Sequence, residues 1–419
     1  MKKTTPTQLR ILMLTEYFYP FDRGGSEWSV YHLSKSLLDL GSEVAVFTPN
    51  YGEKSYAVKD KIKIYRFPFL IYLKRKNAPI TPFWHSNILW FVVSFVYLFI
   101  TILKFKPTHI HIQGKYFIPQ AVIAGKIIRL PVIVTLRDYI VLCPYAFCIN
   151  RKNKYLSCSY GDLINKDLNL FQKNYLSSKN LISYFISFIA AIRGYLVSAI
   201  LRFFLSQDTY KIAISKKVAL IYKLNNIHVN KVIYNSISSV KAFPSKTKNY
   251  LVYAGRLTKG KGIDSFTKAY FSLSKTILLP KLLVIGDGPL KTLLKEYKLK
   301  NISLLGHLRQ EEVLKVFRSA KAVVVPSIWE EPFGRVALEA IICQIPVLAS
   351  NRGALPEIVI NNRYGKIIEP SINNFKKELV KFLKNRNIYK KYLLTDKKLI
   401  LDKFAYNPIT AHLAVYKSL

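Results

Sequence analysis

Short apolar runs recur along this chain at intervals that a helix fills, and they do so in two successive series. Leu9–Thr15, Glu43–Thr48, Ile62–Phe67, His109–Ile112 and Val132–Leu136 read as strands, and Gly25–Leu40 reads as a helix with Val30, Leu33, Leu37 and Leu40 on one face. The second series is Leu251–Ala254, Leu282–Ile285, Ile302–Leu304, Ala322–Val325 and Pro346–Ala349. Strands that alternate with helices imply a parallel, doubly wound sheet. Two such series predict an α/β chain of two Rossmann-like domains, and 419 residues suit two domains of ordinary size. The first domain spans 1–240, with an apolar insertion at 165–206; the second spans 246–400. In open α/β sheets ligands bind beyond the carboxyl ends of the strands, so two such domains facing each other predict a ligand cleft.

Within the second series, Ser327–Glu339 carries the most chemistry. Pro326 and Pro332 keep the residues after the Ala322–Val325 strand out of helix, and a helix then starts near Gly334. A helix N-terminus offers free N–H groups and the positive end of a dipole, which suits a phosphate. Glu331 and Glu339 flank that point, and an ionised carboxylate accepts hydrogen bonds from sugar or ribose hydroxyls. The combination suggests a pocket for a nucleotide sugar.

Glu331 and Glu339, eight apart around Pro332-Phe333-Gly334, resemble the signature of retaining glycosyltransferases of family 4, which have the GT-B fold. Further matches follow in order: Gly24-Gly25-Ser26-Glu27, the Val252–Gly262 segment with Gly255, Arg256 and Lys261, Leu283–Pro289 with Gly286, and Gly353–Glu357. One such motif is a weak signal, but five in register are specific, and together they cover about the whole chain. The resemblance implies that a final helix near Asn407–Leu419, within 401–419, crosses back to the first domain.

The resemblance also implies roles. Arg256 and Lys261 neutralise the donor diphosphate as the glycosidic bond breaks, which is where cations lower the barrier most. Glu331 holds hydroxyls of the donor sugar and Glu339 holds the ribose. Phe333, Gly334 and Arg335 present backbone N–H groups, and Gly353 with Ala354 does the same. Gly24 and Gly25 bring backbone near the phosphates, with Gly255 and Gly286 also at the donor. No metal is implied, and no Asp-x-Asp motif is visible. His111 matches a family histidine at a strand end, although such a histidine is otherwise often a satisfied core residue.

Two positions depart from the family. Many members carry a histidine where this chain has Arg137, followed by Asp138, and the position occupied by Gln113 is commonly histidine too. Arginine stays protonated and cannot act as a base, but it can donate to sugar hydroxyls or phosphate. Asp138 orients it or binds acceptor hydroxyls.

Composition bears on partners. Lys and Arg number 64 against 24 Asp and Glu, a formal charge of +40. Such a surface seeks polyanions; scattered basic residues without a nucleic-acid-binding motif put an anionic membrane first, a merely solvated lysine-rich surface second and nucleic acid third. Ile88–Leu103 has no charged residue, and Leu181–Leu205 has only Arg193 and Arg202. The first reads as a core helix of slightly less than spanning length, with an in-plane membrane helix as the rival; for the second, core and membrane contact weigh equally. The apolar run near the start, Ile11–Leu14, is too short for a signal peptide, so a cytoplasmic chain is expected, and its charge and apolar helices lead to the expectation that it is peripheral on the inner face of the membrane. Cys143, Cys148 and Cys158 cluster loosely without paired zinc-ribbon spacing, so free thiols are expected and a structural metal is the lesser reading.

The expectation is therefore a retaining, metal-independent transferase with no cofactor, moving sugar from a nucleotide-diphosphate donor to a glycan or lipid-linked acceptor. Rivals are an epimerase or hydrolase of the same fold, an inactive sugar-nucleotide-binding scaffold, and a non-enzymatic polyanion binder.

Overall fold

The structure is a computed structural model; it describes residues 8–21, 25–73, 82–146, 157–175, 180–236, 247–296 and 301–419, with backbone alone at 173–175 and 296. Gly24, Cys148 and most of the expected boundary at 240–248 lie outside the described residues. The chain forms two compact units. One contains Met1–Ile214, Val218–Ser238 and Phe404–Leu419; the other contains Ser215–Lys217 and Ser239–Lys403.

Among the described residues, the first unit is built on eight strands: β1 (Arg10–Leu14), β2 (Glu43–Pro49), β3 (Tyr56–Lys59), β4 (Ile62–Phe67), β5 (His109–Ile112), β6 (Val132–Leu136), β7 (Tyr210–Ala213) and β8 (Lys231–Val232). Their order is β3-β4-β2-β1-β5-β6-β7-β8. All neighbours are parallel except β3, which pairs antiparallel with β4. The parallel, doubly wound sheet expected from the sequence thus carries one antiparallel edge strand. Only two residues separate β3 from β4, and a link that short can only return the chain antiparallel.

One face of this sheet is closed by the Gly25–Asp39 helix. Val30, Leu33 and Leu37 pack on Ile11, Met13, Val44 and Val46, joined by Val415 and Tyr416 of the Asn407–Ser418 helix. Leu40, expected on that apolar face, falls beyond the helix end and is exposed.

The Ile88–Phe105 helix is capped by Asn87, whose side chain accepts from Trp90 N at 2.8 Å. It buries only one stripe: Trp90, Ser94, Leu98, Thr101, Ile102 and Phe105. Ile88, Leu89, Val92, Val96 and Leu103 face outward. The core-helix reading thus holds for a single stripe. The Leu181–Leu205 helix, capped by Asn180, packs through Ser187, Ala191, Ser198, Leu201 and Leu205, while Phe185, Ile186, Ile200 and Phe203 are exposed. A surface helix of a soluble protein ordinarily turns polar residues outward; these two are apolar on both sides. By length and composition both are apolar enough to cross a membrane.

Among the described residues, the second unit has six strands, all parallel: β9 (Tyr250–Ala254), β10 (Lys281–Ile285), β11 (Ile302–Gly306), β12 (Ala322–Val325), β13 (Val347–Ser350) and β14 (Gly365–Ile368). The order is β11-β10-β9-β12-β13-β14. The winding reverses between β9 and β12, and a crevice opens beyond strand ends at such a reversal. Leu251, Tyr253, Phe266, Val284, Val324, Leu348 and Phe375 form the core beneath it.

Candidate active site

In the second unit, the two strands that flank the reversal carry the charged residues. After β9 the chain passes Gly255 and Arg256 and makes a tight turn at Lys259–Lys261. After β12 it runs through Ser327–Phe333 into the Arg335–Ile342 helix. The two loops are tied together by backbone: Ile328 N and Trp329 N donate to Gly260 O at 2.9 and 3.1 Å. Gly262, at φ +70°, lies so close to Pro326 O that no side chain fits there.

This brings Lys261 and Glu331 together. Lys261 Nζ donates to Glu331 Oε1 at 2.5 Å, and Ser327 Oγ donates to the same oxygen at 2.6 Å. The lysine ammonium also sits 4.9 Å from the centre of the Trp329 ring. Burial alone would raise the Glu331 carboxyl; the charge and hydrogen bond of Lys261, with the bond from Ser327, hold it below the ordinary value. Glu331 is therefore a carboxylate at neutral pH and an acceptor only. Arg256 is exposed at the strand end, and its guanidinium has no hydrogen-bonding partner among the described residues.

Glu339 lies on the first turns of the Arg335–Ile342 helix, where Arg335 Nε and Gln310 Nε2 donate to its Oε1 at 2.8 and 3.0 Å. Gly334, the helix N-cap, has φ +89° and leaves the N-terminus without a side-chain cap. Phe333 is buried beside it. Gly353 has φ +60°, and its Cα rests against the backbone of Glu331. The expectation that Gly353 and Ala354 present N–H groups to a ligand is corrected. Gly353 N donates to Glu330 Oε2 at 2.7 Å, and Ala354 N donates to Glu331 O at 2.8 Å. Gly255 N and Gly286 N are likewise engaged, by Ile285 O and Gly306 O, and the two glycines pack backbone on backbone. Their role is close approach.

Glu330 does not stand out in the sequence. It is buried at 2% exposure and holds the Gly353 loop, a role set by burial that no spacing rule announces.

In the first unit, strand ends carry a different arrangement. His111 has no exposure; Nδ1 meets Tyr416 Oη at 2.5 Å and Nε2 meets Thr135 Oγ1 at 2.7 Å. Burial, then the neighbouring His412 and Arg137, push its pKa well below the usual value, so it is a neutral, satisfied core histidine. Arg137 Nε donates to Gln113 Oε1 at 3.0 Å and its Nη1 to Asn235 Oδ1 at 2.8 Å. The two departures from the family pattern thus contact each other. Arg137 borders a small cavity with Ser29, Thr135, Asn235 and His412. Asp138 pairs with Lys115 at 2.5 Å and faces Glu16, whose carboxylate accepts from Tyr116 N at 2.8 Å. Glu16 and Lys115 carry no motif that marks them in the sequence, although each follows a central strand directly. Gly25 opens the Gly25–Asp39 helix.

Comparison with known proteins follows this division. Residues 236–394 match the glycosyl transferases group 1 family, and residues 23–238 match glycosyltransferase family 4. The chain belongs to glycosyltransferase family 4. A glycosyltransferase of Methanocaldococcus jannaschii is 32% identical over 179 residues, 42% of this chain and 49% of that protein, so the match spans about half of that relative. A 42.6 kDa protein from the cps region of Klebsiella pneumoniae is 26% identical over 84% of this chain and 87% of its own length. The GPI3 subunit of phosphatidylinositol N-acetylglucosaminyltransferase of Saccharomyces cerevisiae is 24% identical over 84% of the chain and 70% of that protein. Among solved structures, sucrose-phosphate synthase of Thermosynechococcus elongatus superposes with a TM-score of 0.72 at 18% identity, covering 98% of this chain and 99% of that one. Anabaena HepE in complex with UDP and glucose gives 0.66 at 16% identity, covering 98% and 100%. The family 4 chain described here is a glycosyltransferase of GT-B fold.

Proposed function

We propose that this glycosyltransferase takes a nucleotide-diphosphate sugar as donor and transfers the sugar, with retention and without a metal, to a hydroxyl of a glycan or lipid-linked acceptor. The observation that carries the reading is the Lys261–Glu331 pair at the sheet reversal, with Arg256 exposed at the end of β9. When donor binds, Glu331 accepts from sugar hydroxyls, and Arg256 and Lys261 face the diphosphate. As the bond from C1 to the phosphate oxygen breaks, charge grows on that oxygen, and fixed cations stabilise it more than they stabilise the ground state. The acceptor oxygen bonds to C1 from the same face, and its proton passes to the departing phosphate oxygen. Atoms and charge balance without a base from the protein. Arg335 and Gln310 hold Glu339 for the ribose. The UDP and glucose in the HepE complex support a donor of this class.

The acceptor side rests on the first unit. Two helices there expose apolar faces on a chain of net charge +40, which suits the anionic inner face of a cell membrane. The phosphatidylinositol in the name of the yeast relative supports a lipid-linked substrate.

The test is a thermal-shift screen against UDP, GDP, ADP and CMP sugars, with Glu339→Ala alongside, followed by NMR of the product made with a chelator present. Stabilisation by one nucleotide, lost in the variant, with an anomeric configuration equal to the donor's, is expected. An inverted product overturns retention, and metal-dependent turnover overturns the metal-free step.

A further inference from the structure

Three oxygen and sulfur donors converge in the first unit, away from the strand-end residues described above. Cys143 lies in the turn after β6, where its N–H donates to Tyr139 O. Cys158 lies just before the turn of helix at Tyr160–Asp162, and Asp167 ends one turn of π-helix at Leu163–Asp167. A π-turn inserts one residue into a helix and re-aims the side chains around it, and such turns are frequent at functional sites. Cys158 Sγ is 2.9 Å from Cys143 Sγ and 3.0 Å from Asp167 Oδ2. The three donor atoms lie within 4.8 Å of one another, and all three residues are buried.

We propose that, in the reduced protein, Cys143, Cys158 and Asp167 form a zinc site that fastens the apolar insertion to the sheet. Thiolates are soft ligands and select zinc over magnesium or calcium; a carboxylate is an accepted partner. One ion at about 2.3 Å from sulfur and about 2.0–2.2 Å from oxygen reaches all three donors. Tetrahedral angles place two thiolates about 3.8 Å apart, so the sulfurs separate by about 1 Å on binding. Cys143 is disulfide-bonded in the structure, whereas Cys158 retains its thiol. Loading therefore needs a two-electron reductant, such as the thiol pool of a reducing cytosol in the cell or a phosphine in the test tube. Two reductant thiols become a disulfide, and the protein disulfide becomes two thiols. Zinc then displaces the protons of Cys143 and Cys158 and leaves one coordination position for a further donor.

The position explains what the site would do. Pro144 packs against Gly194 of the Leu181–Leu205 helix, where an added Cβ would lie 2.9 Å from the proline ring. Tyr145 packs on Leu163, Leu168 and Ala191. Ser198 Oγ of the same helix donates to Ile140 O at 2.7 Å. An ion joining Cys143 to Cys158 and Asp167 clamps the β6 turn to the segment that supports the long apolar helix.

The full chain, purified with a phosphine reductant from zinc-supplemented cells, should carry about one zinc per chain by elemental analysis. Cys158→Ser and Asp167→Asn should lose it, while Cys343→Ser should keep it. Cobalt titrated into reduced, zinc-free wild type should give thiolate-to-metal charge-transfer absorption, and a disulfide-forming oxidant should release zinc from the loaded wild type. These wild-type measurements stand even if the variants misfold. Reduced wild type without zinc and without the cobalt absorption overturns the proposal, as does a folded Cys158→Ser protein that keeps its zinc.

Discussion

At the carboxyl ends of its strands the second unit holds charge in an open arrangement, while the first unit holds it in a closed one. Glu331 is supplied with bonds by Lys261 and Ser327, and Arg256 at the end of β9 is exposed. In the first unit, His111, Arg137 and Glu16 each meet a protein partner: Tyr416 and Thr135, Gln113 and Asn235, and Tyr116 N. The same sheet architecture is thus used once to present charge and once to neutralise it. The two carboxylates report this with opposite signs. Glu331 is held below its ordinary pKa. Glu16 is raised above it, because burial outweighs the opposing effects of Lys115 and the backbone N–H groups.

The largest test of the comparison is Glu331→Gln, which keeps the shape but not the charge. kcat/KM should fall by about 10³-fold or more, as expected when a group at the reacting centre is lost. Wild-type turnover would remove the open site from the catalytic account. Glu331→Ala should in addition lower stability by about 1–3 kcal/mol, since Lys261 and Ser327 are left facing a hole. Next is Arg256→Ala, expected to cost about 10²–10³-fold in kcat with an unchanged melting temperature, since its side chain is exposed. By contrast, His111→Gln should lower the melting temperature and leave kcat of the protein that remains folded nearly unchanged; a large loss of kcat at an unchanged melting temperature would make this core histidine catalytic. A smaller effect is expected from Phe185→Glu with Ile186→Glu: weaker co-sedimentation with anionic vesicles and unchanged turnover of a water-soluble acceptor.

The smallest effect concerns pH. A carboxyl lowered by folding contributes stability that is present above its unfolded value, 4.5, and is lost as pH falls through the folded value. Wild type should therefore lose its advantage over Glu331→Gln below about pH 4.5. A carboxyl raised by folding behaves oppositely: its contribution is present below 4.5 and is lost as pH rises through the folded value. Glu16→Gln should gain on wild type as pH rises above 4.5. Denaturant unfolding at a series of pH values reads both; slopes of the same sign would erase the distinction between the units.

The open site is legible in the sequence because its motifs are local: Lys261 and Glu331 each follow a strand readable from its apolar run, and Pro332 and Gly334 punctuate the loop. The closed site is not, because its partners come from distant segments, as when Tyr416 meets His111 or Asn235 meets Arg137. Arg137 and Gln113 are recognisable as departures, but their contact appears only once β5 and β6 lie side by side. Some strands escape sequence reading for a similar reason. β7 follows the apolar Leu181–Leu205 helix closely, and its four residues merge with that run. β3 alternates half-buried and exposed residues over only four positions, too few to stand out. The Ile88–Phe105 helix reads as more buried than it is, because hydrophobicity measures what a surface prefers to touch and says nothing of which surface is near.

That helix, with Leu181–Leu205, has a consequence for the protein as a colloid. Exposed aliphatic and aromatic side chains would draw copies of the chain together, but each copy carries +40 and repels the next. Like charge acts as a spacer in solution, over a distance set by ionic strength: about 10 Å at 0.1 M salt and about 3 Å at 1 M. High salt removes the spacer and leaves the apolar attraction in place. The usual remedy for a basic protein, a concentrated salt buffer, should therefore make this one self-associate, while an anionic surface relieves charge and covers apolar faces in one step.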